Sequence, residues 1–403
     1  MYIRRVEGYD TQANMSEVRA LYHKADTMFL SGWVKSSKVF NVDRKLIKDS
    51  VDDMDDINRY LHGEKPAVAI SNYLKRKDVN VSKENISVCS NGTLGMFMAL
   101  LEMKEIMRKS VLIIGPIYFS YYNILKKWEC SVYNCYIDFF NIDISGLVDD
   151  VEDFIDENGI ECVVLTQPYF GVGQNMKMAD KKRLIQGCSE RDVLLIFDSV
   201  YGNMDWDYSG NLADCDLITE VVKHKKCLLV ESVTKNFFLN GIKSAVIYGS
   251  TELISSIREN EFFYSGTITY AQNNLLYNFF QPENEAYLLD FMATNLKYIK
   301  RNYVIASEIL GTFDCDAVKL ASIESGYFCL AGIDKSLFCS KADNEIAEEI
   351  FSETKILTLP HSRYNYGSDD FYIFRINLSL DSNELKKAMY NLHDMLERKM
   401  RDA

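Results

Sequence analysis

The stretch that decides the fold is Glu231-Ser232-Val233-Thr234-Lys235-Asn236-Phe237-Phe238-Leu239-Asn240-Gly241-Ile242-Lys243. It follows Cys227-Leu228-Leu229-Val230, an apolar run that reads as the end of a buried strand. A lysine just past such a strand, among hydroxyl side chains and ahead of a glycine-containing loop, is placed for more than solvation. Apolar surroundings favour the neutral amine, the nucleophilic form that makes Schiff bases. Most lysines at strand ends are surface residues, so the weight falls on what lies at fixed distances on either side.

Upstream, a regular alternation begins at residue 86. Ile86–Cys89, Val111–Ile114, Cys130–Tyr136, Glu161–Thr166 and Val193–Phe197 read as strands. Thr93–Met107, Tyr118–Trp128, Val148–Asn158 and Met178–Glu190 between them read as helices. Strands separated by such helices predict an α/β fold, a mostly parallel sheet flanked by helices, with ligands at the carboxyl ends of the strands. Before it come a helix over Met15–Lys24, an aromatic loop over Met28–Trp33, an acidic stretch Val51–Asn58, a turn at Tyr60–Gly63 and a helix from Pro66 to Leu74. From about residue 290 the pattern changes to a long helix (Tyr287–Thr312), strands at Gly326–Leu330, Leu357–Pro360 and Tyr372–Leu378, and a closing helix Ser382–Lys399. The expected division is a large domain over 46–288, with 1–45 and 289–403 forming a smaller α+β domain.

Composition narrows the function. A net charge of −13 disfavours nucleic acid and anionic membrane as partners, while leaving room for a small anion in a local cationic pocket. The ten cysteines are scattered singly, without a Cys-x-x-Cys pair or a Cys/His cluster, so neither a metal site nor a disulfide framework is expected. The N-terminus lacks an apolar signal core and no apolar run approaches ~18 residues. A cytoplasmic, soluble protein is the expectation.

The predicted strand ends carry the chemistry. Ser90-Asn91-Gly92-Thr93 lies between strand and helix, where free backbone N–H groups, a hydroxyl and the positive helix end make an anion site. Pro116-Ile117-Tyr118 puts an aromatic side chain at the sheet edge, for core packing or for stacking on a planar ligand. Leu194–Phe197 delivers Asp198 to a strand end, where a partly desolvated carboxylate calls for a cationic partner or caps a helix. Tyr201, three residues on, turns its hydroxyl to the same space. Arg375, within Tyr372–Leu378, needs an anionic partner, either a substrate carboxylate or a structural ion pair.

Taken in order, Ser-Asn-Gly-Thr, Pro-x-Tyr, Asp-x-x-Tyr, Ser-x-x-Lys and an arginine in the last strand resemble the class I/II aminotransferases, pyridoxal-phosphate enzymes of fold type I. The resemblance runs from about residue 57 to the C-terminus. It implies that Lys235 forms the Schiff base with pyridoxal 5'-phosphate and later moves the proton, that Asp198 pairs with the ring nitrogen, and that Tyr201 hydrogen-bonds the phenolic oxygen. It implies stacking by Tyr118, phosphate binding by Gly92, Thr93, Ser232 and Lys243, and a carboxylate clamp by Arg375. Tyr60 resembles the tyrosine that reaches the neighbouring subunit's phosphate, with Ser265 or Thr267 in a similar role, which implies a homodimer with shared active sites. The substrates implied are an α-amino acid and a 2-keto acid, with Gly32, Trp33, Tyr118 and the His361–Tyr364 loop shaping the side-chain pocket.

Two departures stand out. In Thr166-Gln167-Pro168-Tyr169-Phe170-Gly171-Val172-Gly173, Phe170 falls where the family has an asparagine that donates to the phenolic oxygen. Lys243 stands where the family has arginine on the phosphate, giving charge without the bidentate fork. These features leave open another carbanion reaction on the same cofactor, such as elimination, decarboxylation or oxidation in a specialised biosynthetic pathway. A non-catalytic regulator is disfavoured by the joint presence of Lys235, Asp198, Tyr201 and Arg375.

Overall fold

The computed structural model describes residues 2–6, 28–32, 36, 39–42, 44–52, 60–103, 109–140, 144, 146–207, 210–239, 241–314, 316–360 and 370–402. The expected helix Met15–Lys24, Trp33, the loop His361–Tyr364 and most of the acidic stretch before Tyr60 lie outside the described residues.

Strands β1 (Tyr2–Arg5), β2 (Met28–Phe29), β3 (Ile86–Cys89), β4 (Ser110–Ile114), β5 (Ser131–Tyr136), β6 (Cys162–Thr166), β7 (Leu194–Ser199), β8 (Cys227–Glu231) and β9 (Ala245–Gly249) come first in the chain. All but β2 form one eight-stranded sheet in the order β1-β5-β4-β6-β7-β8-β9-β3. The pairs from β5 through β8 are parallel, whereas β9 runs antiparallel to both β8 and β3. Because β9 reverses, β3 again points the same way as β8, and its carboxyl end reaches the same sheet edge. Strands β6, β7 and β8 are buried at every residue, which explains their unbroken apolar runs. The covering helices keep one apolar stripe: in Leu147–Asn158 the buried residues are Leu147, Val148, Val151 and Ile155.

The second half of the chain adds β10 (Val318–Leu320), β11 (Phe328–Asp334), β12 (Ile356–Leu357) and β13 (Phe371–Asn377). β10, β11 and β13 form an antiparallel sheet, and β12 pairs in parallel with β2. Helices Pro282–Leu310 and Ser382–Asp402 pack on each other, and Asn302 Nδ2 donates to the carbonyls of Leu378 and Leu380 at 2.8 and 2.9 Å. The long helix starts earlier than expected because Pro282 takes its first turn, where a missing N–H costs nothing.

One expectation about the N-terminus changes. Residues 1–45 do not all join the small unit as the sequence leads one to expect: β1 pairs antiparallel with β5 and extends the large sheet. Tyr2 stacks on Tyr136 at 4.9 Å and the Arg4 guanidinium lies 4.5 Å from the Tyr136 ring, cross-strand contacts that hold this edge. The segment from Met28, by contrast, joins the smaller sheets through β12.

Candidate active site

Lys235 sits in the short helical turn Val233–Asn236 directly after β8. Its Nζ lies 5.5 Å from the centre of the Tyr201 ring, which follows β7. Burial first, then the positive charges of Lys243 and Arg375, pull its ammonium down from the usual 10.5 to about 8. A substantial fraction is therefore neutral amine near physiological pH.

Asp198, buried within β7, accepts the Val200 N–H at 3.2 Å. The chain then turns, and the next helix begins only at Cys215, so Asp198 closes a turn and does not cap a helix. Burial raises its carboxyl to about 6, opposed by the Val200 N–H and the Tyr121 phenol. Among the described residues no ion pair reaches it. A desolvated carboxylate in that state is suited to a cationic ring nitrogen brought by a ligand.

Arg375, 1% exposed on β13, donates from Nε and Nη2 to the Ser31 carbonyl at 3.1 and 2.9 Å. The Ser31 hydroxyl in turn donates to the Arg375 carbonyl at 2.7 Å and accepts the Leu359 N–H at 3.1 Å. One acceptor of the guanidinium is thus a neutral carbonyl, and Ser31 is a supporting residue without a recognisable sequence signal. Aromatic rings flank the group, with Cζ 4.7 Å from the Phe328 centroid and 5.8 Å from that of Phe170. Gly32, buried beside Ser31, accepts the Asn377 amide at 3.1 Å.

The anion-binding side has its own framework. Asn91 caps the helix Gly92–Leu101 by accepting the Leu94 N–H at 2.9 Å, leaving Gly92 and Thr93 in its first turn. A Cβ on Gly92 would lie 3.1 Å from Val200 Cγ2, so this loop fits closely against the one after Asp198. Ser232 Oγ donates to the Ser244 carbonyl at 2.9 Å, and the Lys243 side chain is exposed. Gln272 Nε2 donates both to the Ser90 carbonyl, at 2.7 Å, and to the Lys243 carbonyl. It joins the two loops, and its only trace in the sequence is the capping box it forms with Thr269.

Tyr118 stands at the N-terminus of Phe119–Lys127, half-buried, its ring 5.9 Å from that of buried Phe170. The Phe170 loop meets the small sheet at Gly173, where φ is +79° and an added Cβ would lie 2.7 Å from the carbonyls of Phe328 and Ser325, so only glycine fits. Tyr60 is 86% exposed, and Phe262, Phe263 and Tyr264 on helix Thr251–Ser265 are exposed too. His62 packs on Phe262 at 5.9 Å. Ser265 ends that helix, and Thr267 follows it. Among the described residues there is no metal-ligand cluster and no helix long and apolar enough to cross a membrane.

One sheet edge therefore gathers a nucleophilic amine, a desolvated carboxylate, a phenol, a glycine-led helix start beside a lysine, and a buried guanidinium. The donor set suits a group that carries an aldehyde, a protonated ring nitrogen, a phenolic oxygen and a phosphate.

The family described as "Aminotransferase class I and II" matches residues 35–392. Among solved structures, the fold is similar to a Thermus thermophilus aspartate aminotransferase mutant (TM-score 0.78, 15% identity, 96% of this chain and 97% of that one). It is also similar to Escherichia coli YbdL, reported with a methionine aminotransferase function (TM-score 0.75, 16%, 96% and 100%). A third is Bna3p of Saccharomyces cerevisiae, a putative kynurenine aminotransferase (TM-score 0.77, 15%, 97% and 96%). At these identities the structural likeness speaks for fold alone, and no functionally curated protein matches the sequence. The family match, covering most of the chain, carries the assignment: this chain belongs to the class I and II aminotransferases and is a pyridoxal-phosphate-dependent transferase of fold type I.

Proposed function

We propose that this protein moves an amino group between an α-amino acid and a 2-keto acid, with Lys235 as the amine that bonds covalently to pyridoxal phosphate. The cofactor supplies the aldehyde carbon and an electron-accepting ring. With the cofactor bound, Lys235 Nζ would take and return the proton of the substrate carbon, a role that suits an amine titrating at about 8. Asp198 holds the ring nitrogen protonated, Tyr201 donates to the phenolic oxygen and Tyr118 stacks on the ring. Gly92, Thr93, Ser232 and Lys243 hold the phosphate. Arg375 binds the substrate carboxylate, its orientation fixed by the Ser31 carbonyl.

The observation that carries this reading is the half-buried Lys235, its pKa lowered, beside Tyr201 on the edge that also holds Asp198. Gly32 and Trp33 join Tyr118 around the substrate side chain in the same proposal. The functional unit is a homodimer with shared sites, reached through Tyr60; exposed Phe262, Phe263 and Tyr264 supply an apolar face that a second copy would cover. Residues 46–288 act as the cofactor-binding domain and 289–403 as the domain that closes over substrate, in the cytoplasm. A second reading is favoured by Phe170, which places a ring instead of an amide between Tyr118 and Arg375: elimination, decarboxylation or oxidation of the amino acid.

The test is the visible spectrum of the protein with pyridoxal phosphate, before and after a panel of amino acids, beside Lys235→Ala. A Lys235-dependent band that bleaches as a keto acid is released establishes transamination. Release of ammonia or carbon dioxide instead selects the second reading, and no band at all overturns both.

A further inference from the structure

Strands β3 and β9 pair antiparallel only as far as Cys89 and Ala245. Past that pair they part, β3 running into the Ser90–Thr93 turn and β9 arriving from the loop that carries Lys243. Backbone carbonyls just beyond a ladder need new partners. A single side chain serves both sides of this gap. Gln272, in the first turn of the helix Tyr270–Phe279, donates from Nε2 to the Ser90 carbonyl at 2.7 Å and also to the Lys243 carbonyl.

The amide is held at its other end as well. Its Oε1 accepts the Thr269 N–H at 3.0 Å and the Thr269 hydroxyl at 2.8 Å. A carboxamide carries two N–H donors and one oxygen, and only a donor can face two carbonyls. The contacts therefore fix which way the amide points, and both N–H groups are taken up by backbone, with none left for an anion. The two loops so joined carry Gly92 and Thr93 on one side and Lys243 on the other. Ser232 is tied to the second loop, its Oγ bonded to the Ser244 carbonyl at 2.9 Å.

We infer that Gln272 is a positioning residue for the anion site: it holds the Ser90–Thr93 turn and the Lys243 loop at one spacing, and so sets how tightly phosphate is bound without touching it. The inference rests on the proposed phosphate role of Gly92, Thr93, Ser232 and Lys243. An anion gripped from two sides needs both sides fixed before it arrives, because ordering them on binding subtracts from affinity. The ladder between β3 and β9 stops short of these loops, and the Gln272 amide continues the connection where the ladder ends. Its effect should fall on the phosphate of a ligand and spare the rest.

The experiment compares Gln272→Met, which keeps the length and removes both donors, with Gln272→Glu, which keeps the acceptor that Thr269 uses. Circular dichroism confirms folding. Without added cofactor, amide hydrogen exchange across 89–94 and 241–246 is expected to quicken about tenfold in both variants. Exchange unchanged in either loop overturns the inference, whatever the cofactor does. The dissociation constants of pyridoxal phosphate and of pyridoxal, which lacks the phosphate, are then measured side by side. Gln272→Met is expected to weaken pyridoxal phosphate by about ten- to thirtyfold and pyridoxal by less than about twofold. Equal weakening of the two would show general loosening and overturn the inference, as would an unchanged constant for pyridoxal phosphate. Thr269→Ala disturbs the helix cap and leaves Nε2 its carbonyls, so the ratio of the two constants should stay within about twofold of wild type. A loss as large as that of Gln272→Met would reduce Gln272 to a helix cap and overturn its positioning role. If Thr93→Val and Lys243→Gln leave the ratio untouched, the phosphate reading of these loops fails, and hydrogen exchange alone decides whether Gln272 holds them together.

Discussion

Lys235 can be tested without substrate or cofactor, through its protonation alone. Burial is the main cause of its lowered pKa, with Lys243 and Arg375 adding repulsion. With a pKa of about 8 in place of 10.5, roughly a quarter of Lys235 is neutral at about pH 7.5, against about one part in a thousand for an ordinary lysine. Only the neutral amine acylates, so trace labelling at that pH should modify Lys235 up to a few hundred times faster than a lysine peptide, less whatever burial costs in access. The assay is competitive acylation across pH 6 to 11 with mass-spectrometric readout. The midpoint is independent of accessibility and is the quantity to compare. Lys243→Gln removes one repulsive charge and should raise the midpoint by only a fraction of a unit, since desolvation remains. A wild-type midpoint near 10 would refute the argument, because it would mean that solvent reaches Lys235 freely.

Phe170→Asn restores the amide donor and should lower the pH midpoint of the bound cofactor's absorbance by about one unit; equal midpoints would show that Phe170 is neutral in this respect. Glu231, buried at the end of β8, has its carboxyl raised to about 8 by burial and then by Asp214, even though the Asp214 N–H donates to it at 3.3 Å. Between its usual 4.5 and about 8 the folded protein holds a proton that the unfolded chain has lost, so this group's contribution to stability falls as pH rises through that window and levels off above it. In urea titrations Glu231→Gln should therefore gain on the wild type steadily from pH 5 to 8, and parallel curves would sink the idea. Phe263 is 73% exposed, and Phe263→Asp should push the proposed homodimer toward monomer by at least tenfold in dissociation constant, measured by sedimentation. An unchanged dimer would place the interface elsewhere.

The legible part of the fold was the part fixed by local pattern. Strands β6 and β7 show in the sequence because burial on both faces leaves unbroken apolar runs, and Met178–Glu190 shows because its buried Leu184, Ile185 and Cys188 fall on one helical stripe. What stayed hidden depends on pairing. Nothing in Ala245–Gly249 announces that it runs antiparallel, and Tyr2–Arg5 is an edge strand whose polar residues resemble any solvated terminus. The site shows the same split. Lys235, Asp198 and Tyr201 follow strands at short range, so their shared edge was readable. Ser31 and Gln272 act through a carbonyl and an amide brought from distant elements. The Ser31 carbonyl that holds the Arg375 guanidinium is a peptide oxygen, which no residue-type rule anticipates.

The Ser31 contact also has a consequence for biosynthesis. Ser31 and Arg375 are separated by 344 positions, so at about 5 to 20 residues per second Ser31 waits roughly 20 to 70 seconds for its partner to be made. The strand order lets β3 through β9, with Lys235 among them, assemble during that interval. Asn377 and Leu359, which also bond to the segment around Ser31, appear equally late. The proposed centre around Lys235 is therefore synthesised before Arg375, the proposed carboxylate-binding residue, so that on this reading substrate binding is the last competence the nascent chain acquires.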